Sequence, residues 1–405
     1  MKRYGLRAVL CAALMFGIAA GFQANAADKP DAVRPEVGKP LQEAQSLMKS
    51  GRYKDALSKV NEADAVSGKT PNETLLITRM RAAVSSAAGD TEGANKAYES
   101  LLTSGKVTGR DALVMEQAIA VNFYKEKDYA KAASWAQRYF KDGGTDPAMR
   151  TVLLQSYYLG NDCASVNKML GNGSDERRAS EEELQILANC FQRQKDTAGY
   201  VGAIEKLVVS YPKKEYWVDL LSHVQRKPGF AADRLGIHVY RLRMALGMPL
   251  DTNDYMEMAQ LALQAGVPAE AKAIVDKGYD VKALGNGKEA ERHQRLRDLI
   301  NKSLAASQQT RAKDEADAMA AKDGNDLVKV GLNYVYEGKA DKGLPLIDQG
   351  IKRGGLKRPE DAKLLYGEAL LQAHQNAKAV SVFREVKGTD GTADVARLWI
   401  LQARA

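Results

Sequence analysis

The side chains that could carry chemistry are few and scattered. His223, His238, His293 and His374 are the four histidines, and none stands at a metal-ligand spacing from another. Each is expected to be an ordinary surface or partly buried histidine. The carboxylates are dispersed, and the run Glu181-Glu182-Glu183 suits the first turn of a helix, where negative charge meets the positive end of the dipole. Gly143-Gly144 and Gly285-Asn286-Gly287 are loop glycines without the strand and helix that a phosphate-cradling loop requires. No nucleophile elbow, paired-acid signature or cofactor fingerprint is present. The residue types therefore point to no catalytic group, no metal and no cofactor.

The N-terminus reads as an export signal. Lys2, Arg3 and Arg7 give a positive start, Ala8 to Phe22 is apolar or small, and Ala24-Asn25-Ala26 supplies a small-x-small cleavage pattern. Cleavage is expected between Ala26 and Ala27, and a periplasmic location follows. Lys2, Arg3 and Arg7 account for three of the formal charge of +8, leaving +5 for the mature chain. Basic and acidic residues alternate along it, so no concentrated basic face for nucleic acid is expected. Cys163 and Cys190 remain after processing. In an oxidising compartment they are a disulfide candidate. The alternative is two buried thiols behaving as small hydrophobes.

The elements that hold these residues repeat. Tight polar turns fall near Gly51, Gly89, Lys127, Asn161, Lys195, Gly229, Gly266, Lys302, Gly338 and His374, at steps of 34 to 38 residues. A period of that size predicts a stack of helical hairpins. Around Lys127, the residues Ala112, Leu113, Glu116, Ala120, Phe123 and Tyr124 recur at helical spacing before the turn, and Ala132, Ala133, Ala136 and Tyr139 after it. The small residues let two helices approach closely. Ser180 with Glu183 forms a capping-box signature, and Tyr211-Pro212 ends the unit.

These residues resemble the tetratricopeptide (TPR) repeat. Ala188, Phe191, Lys195-Asp196 and Pro212 follow the order of the family unit, as do Ala44, Leu47, Gly51, Tyr53, Ala56 and Ala63. Residues 254–278 and 354–399 further resemble exported bacterial tetratricopeptide proteins. The resemblance implies an all-α fold, an α-solenoid built as a right-handed superhelix of about ten TPR-like hairpin slots. The expected organisation is a signal peptide over 1–26, a flexible tail over 27–36 and a regular array over 37–212. Degenerate units over 213–288, a long helical spacer over 289–323 and C-terminal units over 324–405 complete it. The stretch from Lys213 to Gly247, with Arg234, Arg241 and Arg243, keeps the spacing but loses the small-residue pattern.

In this family the first helix of each hairpin lines a concave groove that receives peptides or partner helices. Carried over, that geometry makes Gln45, Gln117, Tyr124, Gln155, Tyr158, Gln185, Asn189, Gln192, Gln260 and Gln264 the candidate groove residues. Amides both donate and accept hydrogen bonds, and tyrosine adds apolar area with a polar tip. A two-repeat clamp for a C-terminal carboxylate is not implied, because Ala83 follows Arg79 one turn later. The expected function is a non-catalytic periplasmic scaffold for protein or peptide partners. The alternative is an envelope glycan or peptidoglycan binder using Trp135, Tyr216, Trp217 and Trp399. An enzyme with an atypical site ranks third.

Overall fold

The computed structural model describes residues 32–171 and 179–404. The expected signal peptide and its cleavage point at Ala26 and Ala27 lie outside the described residues. Every element among those described is a helix, and the chain divides into two compact units between residues 176 and 177.

The N-terminal unit contains α1 (Pro35–Lys49), α2 (Tyr53–Asp64), α3 (Pro71–Ala88), α4 (Thr91–Thr103), α5 (Gly109–Lys125), α6 (Tyr129–Lys141), α7 (Pro147–Leu159) and α8 (Cys163–Gly171). Consecutive helices pair as α1/α2, α3/α4, α5/α6 and α7/α8. Second helices pack on the next hairpin, α1 touches α3 and α5 touches α7. The seam is made of small residues. Ala56, Ala63, Ala120, Ala132 and Ala136 are all fully buried, which brings the helix axes close.

The turns explain the period. Lys127 and Asn161 adopt left-handed backbone, as do Gly51 and Gly89. At Lys127 the following Asp128 N–H reaches back to the Phe123 carbonyl at 2.9 Å, a helix-ending pattern that satisfies the last carbonyls. Asp128 then caps the next helix by accepting from the Lys131 N–H at 3.1 Å. The Asp90 and Asp162 side chains make the equivalent bonds to Gly93 and Ser165. One dipeptide thus stops one helix and starts the next.

The C-terminal unit contains α9 (Glu181–Arg193), α10 (Thr197–Ser210), α11 (Lys214–Gln225), α12 (Ala232–Ala245), α13 (Thr252–Gln264) and α14 (Pro268–Asp280). It continues with α15 (Ala290–Ala320), α16 (Asn325–Tyr336), α17 (Ala340–Arg353), α18 (Pro359–Gln372), α19 (Asn376–Glu385) and α20 (Thr392–Arg404). Ser180 and Glu183 form the expected capping box on α9. Regular hairpins recur as α9/α10, α13/α14, α16/α17 and α18/α19. The α16/α17 pair is the most intimate. A Cβ built on Gly343 would stand 2.4 Å from the Gly331 carbonyl oxygen, so glycine is required for that approach.

Two features depart from a plain stack. Residues 290–320 form one helix, and Lys302, expected at a turn, lies inside it. Without Gly or Pro between Glu289 and Lys322 nothing interrupts the helix. The second departure is at α11 and α12, which hardly touch. Instead α12 packs on α13 and on α20, and α20 also packs on α10, α18 and α19. The C-terminal unit therefore closes on itself, its last helix lying against its early helices. Phe230, in the loop between α11 and α12, sits against Gly391, and the Ala231 N–H donates to the Asp390 carbonyl at 3.1 Å.

Candidate functional site

The candidate groove residues all lie on first helices. In the N-terminal unit Gln45 is on α1, Gln117 and Tyr124 on α5, and Gln155 and Tyr158 on α7, each half-buried. The Tyr124 hydroxyl donates to Gln155 Oε1 at 2.6 Å, joining α5 to α7. Gln117 Nε2 donates to Asp146 Oδ2 at 2.9 Å, the side chain that caps α7. In the C-terminal unit Gln185, Asn189 and Gln192 project from α9 and Gln260 and Gln264 from α13, all exposed. Gln185 Nε2 donates to the Tyr216 hydroxyl at 2.7 Å, and that hydroxyl donates to Glu181.

The structure thus brings Tyr124 to Gln155 and ties Gln117 and Gln185 to the next hairpin. Among the described residues it joins Asn189, Gln192, Gln260 and Gln264 to no other member of the set. Several amides expected to face a ligand hold successive hairpins together instead. All are neutral hydrogen-bonding groups, suited to gripping backbone amides and unsuited to nucleophilic or proton-transfer chemistry.

A denser polar constellation is buried in the C-terminal unit. Arg241 of α12 makes a fork with Glu270 of α14, Nε to Oε1 and Nη2 to Oε2, both at 2.6 Å. Its Nη1 donates to Glu368 Oε2 on α18 at 2.7 Å, and His238 Nδ1 lies 2.8 Å from Glu368 Oε1. All four residues are buried, with the Tyr336 phenol of α16 beside Glu270. Burial alone would weaken the Arg241 proton, but Glu270 and Glu368 hold the guanidinium firmly charged. Burial opposes the charge on Glu368 too, yet His238 and Arg241 keep its pKa below the usual range. The Tyr336 hydroxyl is pushed well up by burial, reinforced by the two carboxylates. A locked cation between two carboxylates spends its bonds on tying α12, α14 and α18 together. The arginines of the irregular segment were visible in the sequence. The partner that Arg241 finds on α18, 127 residues away, carried no periodic signal.

Other titratable groups are perturbed in the N-terminal unit. Glu116 of α5 is fully buried. Burial, with Asp142 nearby, pushes its carboxyl up to about 7. Arg138 Nε lies 2.9 Å from Oε1, but off the line of a hydrogen bond, so neither oxygen accepts one. Glu73 is the opposite case. The Arg34 guanidinium and the backbone N–H groups of Thr70 and Arg34 hold its carboxyl at about 2.

Of the histidines, His238 and His293 are buried and His374 is exposed. The Gly285 N–H donates to His293 Nδ1 at 3.1 Å. Among the described residues no group of His, Cys, Asp and Glu is placed to hold a metal ion. Cys163 and Cys190 are both buried. The aromatics expected of a glycan platform are covered: Tyr216, Trp217 and Trp399 are buried, and the Arg138 guanidinium lies 5.0 Å above the half-buried Trp135 ring. Among the described residues no helix is long and apolar enough to cross a membrane.

No known protein family and no curated protein matches the sequence. Several solved structures are similar in fold. A structure of Naa15/Naa10 bound to HypK-THB shares 14% identity at a TM-score of 0.32 over 87% of this chain, which spans only 58% of that protein. The P58(IPK) TPR domain shares 12% at 0.24, covering 91% of this chain and 97% of the domain. Yeast Tom70 shares 12% at 0.26, covering 91% and 95%. Similarities this low carry no argument about activity or partners; the all-helical hairpin architecture stands on the packing described above.

Proposed function

We propose that this chain is a non-catalytic scaffold of the periplasm that docks protein or peptide segments on the first-helix faces of its hairpins. The supporting observation is the placement of amides at exposed positions of first helices, Asn189 and Gln192 on α9 and Gln260 and Gln264 on α13. A row of groups that both donate and accept suits an extended backbone, and repeat arrays commonly use such faces for binding. The reading of residues 1–26 as an export signal supports a location outside the cytosol, where Cys163 and Cys190 would form a disulfide.

In-cell crosslinking from α9 tests the proposal. Defined envelope proteins are expected from the wild-type chain and fewer from Asn189→Ala combined with Gln192→Ala, at unchanged melting temperature. Equal recovery from both discards the amide face. Gln155 and Gln185 are poorer choices, because each bonds a neighbouring element. Export is checked by sequencing the N-terminus of the purified protein, expected at Ala27, and by titrating thiols after denaturation without reductant. A chain retained in the cytoplasm, or two reactive thiols in native exported protein, contradicts the placement.

A further inference from the structure

A polar cleft in the C-terminal unit is lined by none of the candidate amides. It has a volume of about 550 Å³ and is walled by the α13–α14 turn, α15 and α16, within the ~300–1,000 Å³ range of ordinary ligand sites. The wall from α15 is unusual. Ser307, Arg311 and Asp314 recur at helical spacing on the side lining the cleft, where a packed helix normally turns apolar residues inward.

Two buried side chains in the lining, Arg311 of α15 and Asn333 of α16, are incompletely satisfied. Arg311 is 7% exposed. Its Nη2 donates to Ser307 and to Glu337, each at 2.8 Å, and its guanidinium lies 5.2 Å from the Tyr334 ring centre, yet Nη1 has no partner. Asn333 is 4% exposed. Its Nδ2 donates to the Gly266 carbonyl at 2.9 Å and the Lys329 carbonyl at 3.1 Å, while Oδ1 has no partner. A buried donor and a buried acceptor left unpaired are a standing cost. Both belong to residues lining one cleft, so a group offering an acceptor beside a donor would relieve both.

The charges select further. Glu337 answers the Arg311 charge. What remains in the lining is Asp314, Asp317 and Asp326 against the single cation Lys329, and among the described residues no ion pair holds any of these four. The cleft therefore favours a cation. A peptide unit supplies a carbonyl for Arg311 and an N–H for Asn333, and a basic side chain on it reaches the aspartates. A free amino acid would bring its own carboxylate against three others.

We propose that this cleft binds a peptide segment through one backbone amide and a neighbouring lysine or arginine side chain. The inference rests on the reading of the chain as a peptide-docking scaffold and gives it a second site with a stated chemistry.

The test titrates the blocked tripeptide Ac-Gly-Lys-Gly-NH2 into the full mature chain at low ionic strength, read by saturation-transfer NMR. Its twin with glutamate in place of lysine and free lysine serve as competitors. The lysine tripeptide should bind, the glutamate twin should not, and free lysine should compete weakly. Asp317→Asn with Asp326→Asn, both on exposed residues, should weaken binding about fivefold or more. Lys329→Ala should strengthen it about two- to threefold, as expected for partly exposed charge pairs. Strengthening on loss of a lysine is a change that mere damage to the fold would not produce. No binding, equal binding of the glutamate twin, free lysine competing as well as the blocked peptide, or an unchanged affinity in the aspartate variant overturns the proposal. If partners are still crosslinked at α9 in that event, the cleft assignment has failed and the scaffold reading stands. If the wild-type chain recovers no partner either, the scaffold reading has failed with it.

Discussion

The pair α5/α6 and the pair α11/α12 occupy equivalent slots and are built oppositely. In α5/α6 the residues that meet are small, Ala120, Ala132 and Ala136 all being fully buried, and the helices close on each other within one repeat. In α11/α12 the buried residues are large, including Tyr216, Trp217 and Leu220 on one helix and Leu235, His238 and Arg241 on the other. The two helices part, and the space beside α12 is taken by α20. The links that replace the local seam are charged and distant. Arg241 reaches Glu270 and Glu368, Arg234 reaches Asp361 and Asp390, and Arg397 of α20 reaches Glu205 of α10. Losing the small-residue pattern does not simply weaken a slot. It frees a helix face for a partner from far along the chain.

If the buried cluster secures that closure, Arg241→Met gives the largest effect. It leaves Glu270 and Glu368 buried without their cation, and breaking a buried pair in this way typically costs about 3–5 kcal/mol. Urea denaturation of the variant should show the C-terminal unit melting earlier while the N-terminal transition keeps its midpoint. Adding Glu270→Gln and Glu368→Gln should recover part of the loss. A change under about 1 kcal/mol would mean that the closure rests on apolar packing alone.

The complementary change attacks the local seam. Ala132→Leu places a branched side chain between α5 and α6, where no space exists, and overpacking of this kind costs about 1–3 kcal/mol. The N-terminal transition should move and the C-terminal one stay. The reverse pattern would contradict the assignment of the seam.

How far the sequence discloses these two constructions differs in the same way. The turns were legible because each must reverse the chain with a left-handed residue, joined at Lys127, Asn161 and Lys195 by a capping aspartate. Gly51, Lys127, Asn161, Lys195 and His374, all expected at turns, have positive φ, whereas Lys302 is helical because nothing nearby breaks a helix. The alanine seam was legible because it is periodic. The closure was not, since Lys227 and Asp394 stand 167 residues apart and no pattern announces a single contact. The orphaned atoms of Arg311 and Asn333 were equally hidden, because satisfaction depends on neighbours brought in by three helices. Gln117, Tyr124, Gln155 and Gln185, read as ligand-facing, are engaged with a neighbouring hairpin, a distinction that spacing alone cannot draw.

Within the regular unit, two buried carboxylates should give opposite pH responses. Glu116 has a folded pKa of about 7, raised above its ordinary value. The folded state then binds the extra proton, so stability falls as pH rises from about 4.5 to 7. Glu116→Gln should be more stable than wild type at pH 8 by about 1–2 kcal/mol, below the full conversion of the shift because partly exposed Arg138 screens the charge, and the difference should level off below about pH 4.5. Glu73 is held at about 2, so its contribution is present above about pH 4.5 and lost as pH falls toward 2. Glu73→Gln should therefore be less stable than wild type at pH 7 and converge with it in acid. Thermal melts across pH check both signs.

The smallest effect belongs to the rim of the closure. Lys227 and Asp394 meet at 2.8 Å, with the lysine side chain 49% exposed, and such pairs contribute roughly 0.2–1 kcal/mol. Lys227→Ala should lower the stability of the C-terminal unit by no more than that, and the difference should vanish in high salt, where exposed charges are screened. The Arg241→Met effect should persist there, since its partners are buried beyond the reach of counterions. If instead Lys227→Ala matched Arg241→Met, or both effects disappeared together in salt, the charges at the rim and in the interior would be acting as one exposed network, and the buried cluster would lose its separate role in holding α12 away from α11.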